Sequence, residues 1–402
     1  MSRLVSFLSR RLVKAVLASW SVERCREWLE QDVELELGIE HVTNKYFPLS
    51  NSSREVRDKL LQACIRAGVE IRYDASVESL RPVANDGGTS WALRIRNSAE
   101  EQVSVVVLAM GGLSFPAVGT DGTGYAIARR DLKHELNEPY PALVPLTGDH
   151  PGGERLPGVS LDVSLECEQV LADAHAQKKK KKKKKKSKAS REGFLFTHRG
   201  FSGPSILDLS HNVVRPLVRK QFDDVTSSSS SSSSSYGNDE SSAVDDNGIT
   251  SLPSMVVNWS GESREEWQTR LTEPPGRALV ATRLRDSLPQ RLADALLAEA
   301  NVDASCKVAD LRKADRLKLL EILTRYRIPI DGHQGYRKAE VTGGGVALDE
   351  IDTKSMESQV APGVFFCGEV CDVFGRIGGF NFLWAWTSGR LAGLSAAKKV
   401  SE

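Results

Sequence analysis

The sequence predicts an α/β fold divided into more than one domain, and three observations predict it. Two short, nearly continuous apolar runs, VSVVVLAM at 103–110 and VFF at 364–366, suit strands buried on both faces. Each empties into a glycine-containing loop that opens a helix, the order that builds parallel sheets. The third observation is length. A chain of 402 residues exceeds one compact core and suits two or three domains of about 100–200 residues.

Composition narrows the function classes. Apolar content of 40% and charged content of 27% match a soluble globular chain. The net charge of +1 is set by nine lysines, Lys178–Lys186; without them it falls to −8, which leaves no broad basic face for nucleic acid. The six cysteines have no zinc-type spacing and are too sparse for a disulfide scaffold, so no metal is expected. Cys367 and Cys371 flank Gly368-Glu369, and are read either as a redox pair or as plain packing. No run approaches the roughly 18 apolar residues of a membrane helix. A soluble, intracellular protein follows, cytoplasmic or organellar, with no specific nucleic-acid partner and an open oligomeric state.

In chain order, MSRLVSFLSRRLVKAVLASW is basic, acid-free and helical in period. It reads as an amphipathic helix, with a mitochondrial transit peptide as the alternative. SVERCREWLEQ is an acidic helix. Ser52 or Ser53 caps the next one, whose stripe is Val56, Leu60, Leu61, Cys64 and Ile65 and whose end is Gly68. GVEIRYDASVESL reads as strand and turn, with Val77 a core strand residue on its own evidence. WALRIRN and VSVVVLAM are strands joined around Glu100-Glu101. The loop that follows has Gly119, Gly122 and Gly124 in the order G-x-x-G-x-G, the reverse of a dinucleotide fingerprint. Its glycines either present backbone N–H groups to a ligand or make a plain turn before the helix YAIARRDLK.

Prolines 139, 141 and 145 mark a boundary. VSLDVSLECEQV, GFLFTHRGFSGPSILDLS and MVVNWSG then read as strands, and His198 within them as a structural histidine. The lysine run and the serine run Ser227–Ser235, with its acidic continuation to Asp246, cannot bury apolar surface and are expected to be disordered loops. A nuclear localisation patch is the weaker reading of the lysines. Residues 262–327 read as helices, with Leu311, Leu317, Leu319, Leu320 and Ile322 in the core. VTGGGV is expected to form a tight hairpin or bulge. After VFF come Gly368-Glu369, an acidic turn to Asp372, the pair Gly378-Gly379 and a helix apolar nearly all round, which predicts burial. That strand, carboxylate loop and paired glycine make a place for a polar ligand.

This last stretch resembles the closing motif of the BaiN/YhiN-type flavoproteins, G-E-x-x-D-x-x-G-x-x-G-G-[YF]-N followed by A-x-x-[ST]-G. It is held here by Gly368, Glu369, Asp372, Gly375, Gly378, Gly379, Phe380, Asn381, Ala385, Ser388 and Gly389. Further similar stretches are Ala109, Gly111, Gly112, Ser114, Pro116 and Gly119 to Tyr125, with Met110 where the family has Thr. Phe196 to Leu207 and Ala339 to Val346 match two more. Phe47, Pro48 and Ser50 match as well, although Asn44-Lys45 stands where the family has Gly-Arg.

The resemblance implies a glutathione-reductase-type FAD-binding domain from residues 1–145 and 336–402, with an inserted β-barrel and helical subdomain at 146–335. It implies an FAD-dependent oxidoreductase acting on a small molecule, with NAD(P)H as candidate donor. Val77 would lie beside the adenine. Ala109, Gly111 and Gly112 would line the cofactor. Gly368, Glu369 and Asp372 would meet ribityl or phosphate-side groups, and Gly378, Gly379, Phe380 and Asn381 the pyrimidine edge. No side-chain acid, base or nucleophile stands out. The family's initial strand–glycine loop–helix unit, which holds the pyrophosphate, is not found ahead of Met1. A chain lacking it would bind FAD poorly, and a non-catalytic remnant serving as a protein-binding module is the alternative expectation.

Overall fold

The computed structural model describes residues 7–41, 44–85, 88–153, 156–170, 184–188, 192–228, 253–272 and 278–402. They fall into two compact units, Met1–Pro139 with Val341–Glu402, and Tyr140–Glu340.

The first unit opens with α1 (Phe7–Ala18), whose Val13 and Val16 are buried three residues apart on one face. Ser21 caps α2 (Val22–Gln31) by accepting from Arg24 N, and Cys25 and Leu29 turn inward to meet Trp20, Val33 and Leu35. A hairpin of β1 (Leu37–Glu40) and β2 (Lys45–Pro48) follows. Ser52 caps α3 (Ser53–Arg66), and the chain turns at Gly68 with φ +78°. The expected stripe on α3 is only half covered: Val56 and Leu60 pack against the α2 cluster, while Cys64 and Ile65 are exposed.

No strand forms between Gly68 and Ser76, where Val69 and Ile71 are exposed and pair with nothing in the strand ladders. The antiparallel meander is β3 (Val77–Asn85), β4 (Gly88–Ile95) and β5 (Glu101–Val103). The apolar run 103–110 is therefore not one strand. It breaks at Ser104-Val105, and β6 (Val106–Leu108) joins a different sheet before α4 (Thr123–Arg130).

β7 (Leu136–Ala142) runs across the unit boundary. The second unit holds β8 (Leu146–Thr147), β9 (Ser160–Val170), β10 (Lys184–Lys188), β11 (Glu192–Thr197), β12 (Gly200–Ser202), α5 (Pro204–Ser228) and β13 (Ser254–Asn258). The helices α6 (Arg264–Arg270), α7 (Val280–Arg285), α8 (Gln290–Ala300) and α9 (Lys313–Arg325) follow, then β14 (Tyr326–Arg327) and β15 (Gly332–His333). The sheet order is β14-β13-β9-β11-β12-β8-β15, with β10 also on β9. Alternation along β9 buries Val163, Leu165 and Cys167, and Phe194, Phe196, Phe201 and Trp259 complete an aromatic core. The two edge strands are separated only by residues 328–331, so the sheet curls until its edges lie within the reach of four residues.

Three expectations change here. SILDLS is helix, since the α5 sequence buries Ile206, Leu207, Ser210 and Val214 at helical spacing. Leu317 is exposed, on the outer face of α9, while Leu319, Leu320 and Ile322 are buried. Lys184–Lys188 pairs with β9 as a strand, and Ser227 and Ser228 close α5. The rest of both homopolymer tracts lies outside the described residues. The exposed His198 sits at the tip between β11 and β12.

Back in the first unit come β16 (Val341–Val346), β17 (Ile351–Asp352), β18 (Glu357–Ser358), β19 (Val364–Phe366) and α10 (Phe380–Ser401). VTGGGV is thus a buried strand rather than a hairpin; it has no side chain at its three glycines, and other backbone passes close to two of them, Gly344 and Gly345. The second sheet runs β17-β18-β19-β6, and its β19–β6 pair is parallel, with Val364 opposite Val106 and Phe366 opposite Leu108. These strands, α4 and Trp384 form the core. α10 is not buried all round: Phe380 and Phe382 are 44% and 66% exposed, with Arg376 over the Phe380 ring and Trp386 stacked on Phe382.

Candidate functional site

The parallel pair β6 and β19 delivers two loops side by side. After Leu108 the chain passes Ala109 and Met110 into Gly111-Gly112; after Phe366 it passes Cys367 into Gly368-Glu369. The ladder continues one step, as Cys367 N donates to Leu108 O at 3.2 Å. Loops at the carboxyl ends of adjacent parallel strands are where α/β sheets bind ligands.

One side-chain knot ties the loops together. Glu369 Oε1 accepts from Thr342 N at 2.8 Å. Thr342 Oγ1 in turn accepts from Leu113 N at 2.7 Å and Ser114 N at 3.1 Å. Gly112 lies against both: a Cβ there would sit 2.4 Å from Glu369 Oε1 and 2.4 Å from Thr342 Oγ1, so only glycine fits. Burial raises the Glu369 carboxyl above its ordinary range, and the two bonds to Thr342 pull it partly back. Three further side chains fix the backbone of this turn. Tyr125 Oη donates to Glu369 O at 3.2 Å, Trp384 Nε1 donates to Gly368 O at 2.9 Å, and Gly368 N donates to Ser388 Oγ at 3.0 Å.

The second half of the site is the approach to α10. Asn381 grips the loop in both directions, accepting from Gly375 N at 2.7 Å and donating to Gly375 O at 3.2 Å. Its side chain is therefore a loop clamp, and only its backbone faces outward chemistry. Gly379 occupies the left-handed region at φ +84° and has open space where a Cβ would be. Gly378 does not: a Cβ there would meet Lys45 Cε at 3.0 Å and the Phe380 ring at 3.6 Å. The Arg376 guanidinium lies 5.3 Å from the Phe380 ring centroid.

The other expected site residues are placed as follows. Asp372 Oδ2 accepts from Asn137 Nδ2 at 2.9 Å, beside the loop. Val77 begins β3 at a bulge and packs on the core, away from the glycine turns in sequence and in the ladder. Ala109 is exposed at the end of β6. Cys367 and Cys371 are buried thiols; burial pushes Cys367 up to about 11 and Cys371 well above its usual value, which suits packing rather than redox exchange. Among the described residues no cluster of His, Cys, Asp or Glu could hold a metal ion. No helix among them is long and apolar enough to cross a membrane.

Thr342, Trp384 and Lys45 escaped the sequence reading as site residues. Thr342 stood inside a glycine strand, Trp384 looked like core, and nothing local marks the contact between Lys45 and Gly378.

The arrangement suits a polar ligand that meets bare backbone. Backbone is bare at Gly379 and nearly so at Gly368, where a Cβ would meet only Ala385 at 3.8 Å. Glu369 and Asp372, each already accepting one hydrogen bond within the protein, lie on the same turn, and Phe380 offers an exposed aromatic face.

Residues 4–395 match the HI0933-like protein Rossmann domain family. The chain is 32% identical over 340 residues to the ribosomal RNA dihydrouridine synthase of Escherichia coli, covering 84% of this chain and 70% of that protein. It is 28% identical over 349 residues to the protein of that name in Haemophilus influenzae, covering 86% and 73%. To the 3-dehydro-bile acid delta(4,6)-reductase of Clostridium scindens it is 27% identical over 356 residues, covering 88% and 75%. Among solved structures, the open conformation of a flavocytochrome c3 fumarate reductase aligns with 98% of this chain and 64% of that one, at 13% identity and a TM-score of 0.39.

Proposed function

Because the chain belongs to the HI0933-like Rossmann-domain family, we propose that it is an FAD-dependent oxidoreductase whose cofactor lies across the Gly111-Gly112, Gly368-Glu369 and Gly378–Asn381 turns. The observation that supports this best is the Glu369–Thr342–Gly112 knot, which holds two loops at the ends of adjacent parallel strands in one fixed arrangement. A remnant kept only as a binding module has no need of that arrangement. In the same reading, residues 1–145 and 336–402 form the flavin domain, and the curled sheet and helices of 146–335 are an inserted barrel and helical subdomain.

A bound flavin would supply hydride transfer, which no side chain here can perform. This chain's residues would orient it. Gly368 and Gly379 let backbone approach the ligand, Glu369 and Asp372 accept from ribityl hydroxyls, and Asn381 keeps the 375–381 loop closed. Val77 is assigned to the adenine end.

The named relatives suggest a substrate class. Dihydrouridine formation and delta(4,6) reduction both saturate a carbon–carbon double bond conjugated with a carbonyl. We assign this chain the same chemistry, with the substrate either a small enone or a uracil base in RNA.

Purified protein mixed with FAD and passed through gel filtration tests the cofactor. Flavin absorption should elute with the protein; a colourless peak overturns the reading. Anaerobic mixing with NADH and with NADPH then identifies the donor. A small enone and a uridine-containing RNA fragment, added to the reduced protein, separate the substrates by which one reoxidises it.

A further inference from the structure

Lys45 stands out among the charged side chains of the first unit. It is half-buried on β2, opposite Glu40 in the hairpin ladder, and among the described residues its side chain forms no salt bridge. The neighbouring cation Arg26 lies over the Tyr46 ring but is neutralised by Glu30 at 3.1 Å. The nearest carboxylate in the glycine loop, Asp372, is bonded to Asn137. What Lys45 does touch is bare backbone. Its Cε lies 3.0 Å, and its Nζ 3.6 Å, from where a Cβ on Gly378 would be, and the Phe380 ring is 3.6 Å from the same point. Gly378 holds φ +124°, so a side chain is excluded there by conformation as well as by the lysine. Glu40 stands opposite Lys45 in the β1–β2 ladder, so the strand carries onto a glycine of the ligand loop an ammonium whose nearest ladder neighbour is a carboxylate on the adjoining strand.

We propose that Lys45 is a positioning residue that sets the electron affinity of a flavin held at Gly378–Asn381. The inference rests on the cofactor reading above and deepens it. Two electrons and one proton taken up by a neutral flavin ring add one negative charge to it. A fixed ammonium beside that ring favours the charged form over the neutral one, and the effect is strongest where water is partly excluded. Arg376 cannot substitute, because it is exposed and its guanidinium is spread over the outer face of Phe380.

The test compares wild type, Lys45→Met and Lys45→Arg for FAD affinity and for flavin midpoint potential, measured anaerobically against a reference dye. Lys45→Met should bind oxidised FAD within about threefold of wild type. It should lose about tenfold in its preference for the reduced form, a potential drop of ~30 mV for a two-electron couple. Lys45→Arg should keep the wild-type potential. FAD bound to Lys45→Met at unchanged potential overturns the proposal, as does an equal loss of affinity for both redox forms, which would make Lys45 a mere anchor. Wild type that takes up no FAD overturns the cofactor reading itself, and this inference with it.

Discussion

A methyl group at position 112 has nowhere to go: the Glu369 and Thr342 oxygens already occupy its volume. Gly112→Ala should lower stability by ~1–3 kcal/mol, read as an earlier urea midpoint, and should weaken FAD uptake more than that, because the loop moves with the strain. Thr342→Val should cost a similar ~1–3 kcal/mol by stranding the N–H groups of Leu113 and Ser114, whereas Thr342→Ser should recover most of it. Acid sensitivity also belongs to single residues. His134 is buried between Glu350, 2.8 Å from its Nδ1, and Ser358, 2.7 Å from its Nε2. Burial lowers its pKa against the pull of Glu350; burial also lowers His333, and takes His211 down to about 4. An unfolded histidine, near 6.5, then binds a proton more readily than the folded one. These histidines give stability that is fully present above about 6.5 and is lost as pH falls toward their folded values. Glu369, with its raised carboxyl, has the opposite sign and offsets part of the loss. Urea midpoints measured from pH 7.5 down to 4.5 should fall, and His134→Asn should fall less steeply. The glycines of the site were legible in the sequence because each marks a turn or a close approach. Thr342 was not, since two of its partners, Leu113 and Ser114, lie more than two hundred residues away.

At the level of elements, α10 is both a wall of the core and a clamp on the ligand turn. Trp384 and Ser388, one turn apart, hold the carbonyl and the amide of Gly368. Ser388→Ala should leave that amide unpaired at a cost of ~1–3 kcal/mol and lower FAD affinity, checked by equilibrium unfolding and by flavin titration. Phe382→Ser should cost about 0.5–1.5 kcal/mol, the loss of its stacking on Trp386. The paired glycines before it marked the start of α10, but its composition overstated its burial. Hydrophobic content cannot report whether a neighbour is there to cover it. The same limit explains the 103–110 run. Its apolar residues announced strand, while the switch from the β4 meander to the parallel partner β19 depends on Gly363 O, which receives Val106 N. α5 was hidden because LDLS alternates like a strand over four residues and the helical period shows only over a longer window.

At the scale of the molecule, the second unit is continuous in sequence and has its own aromatic and aliphatic core. Residues 140–340 expressed alone should give a single cooperative thermal transition with near-native helix content; a gradual melt would show that they depend on the rest of the chain. The first unit has no such independence, because its parallel strand pair joins Val106 to Val364. That pairing sets a timetable during biosynthesis. At about 5–20 residues per second, β6 leaves the ribosome roughly 10–50 s before its partner is made. The inserted unit has that interval to fold, while β6 waits with its apolar residues unshielded. Chaperone dependence and loss to aggregation should therefore track the speed at which residues 109–366 are translated, so that slow codons there would reduce the yield of folded protein while leaving its sequence unchanged.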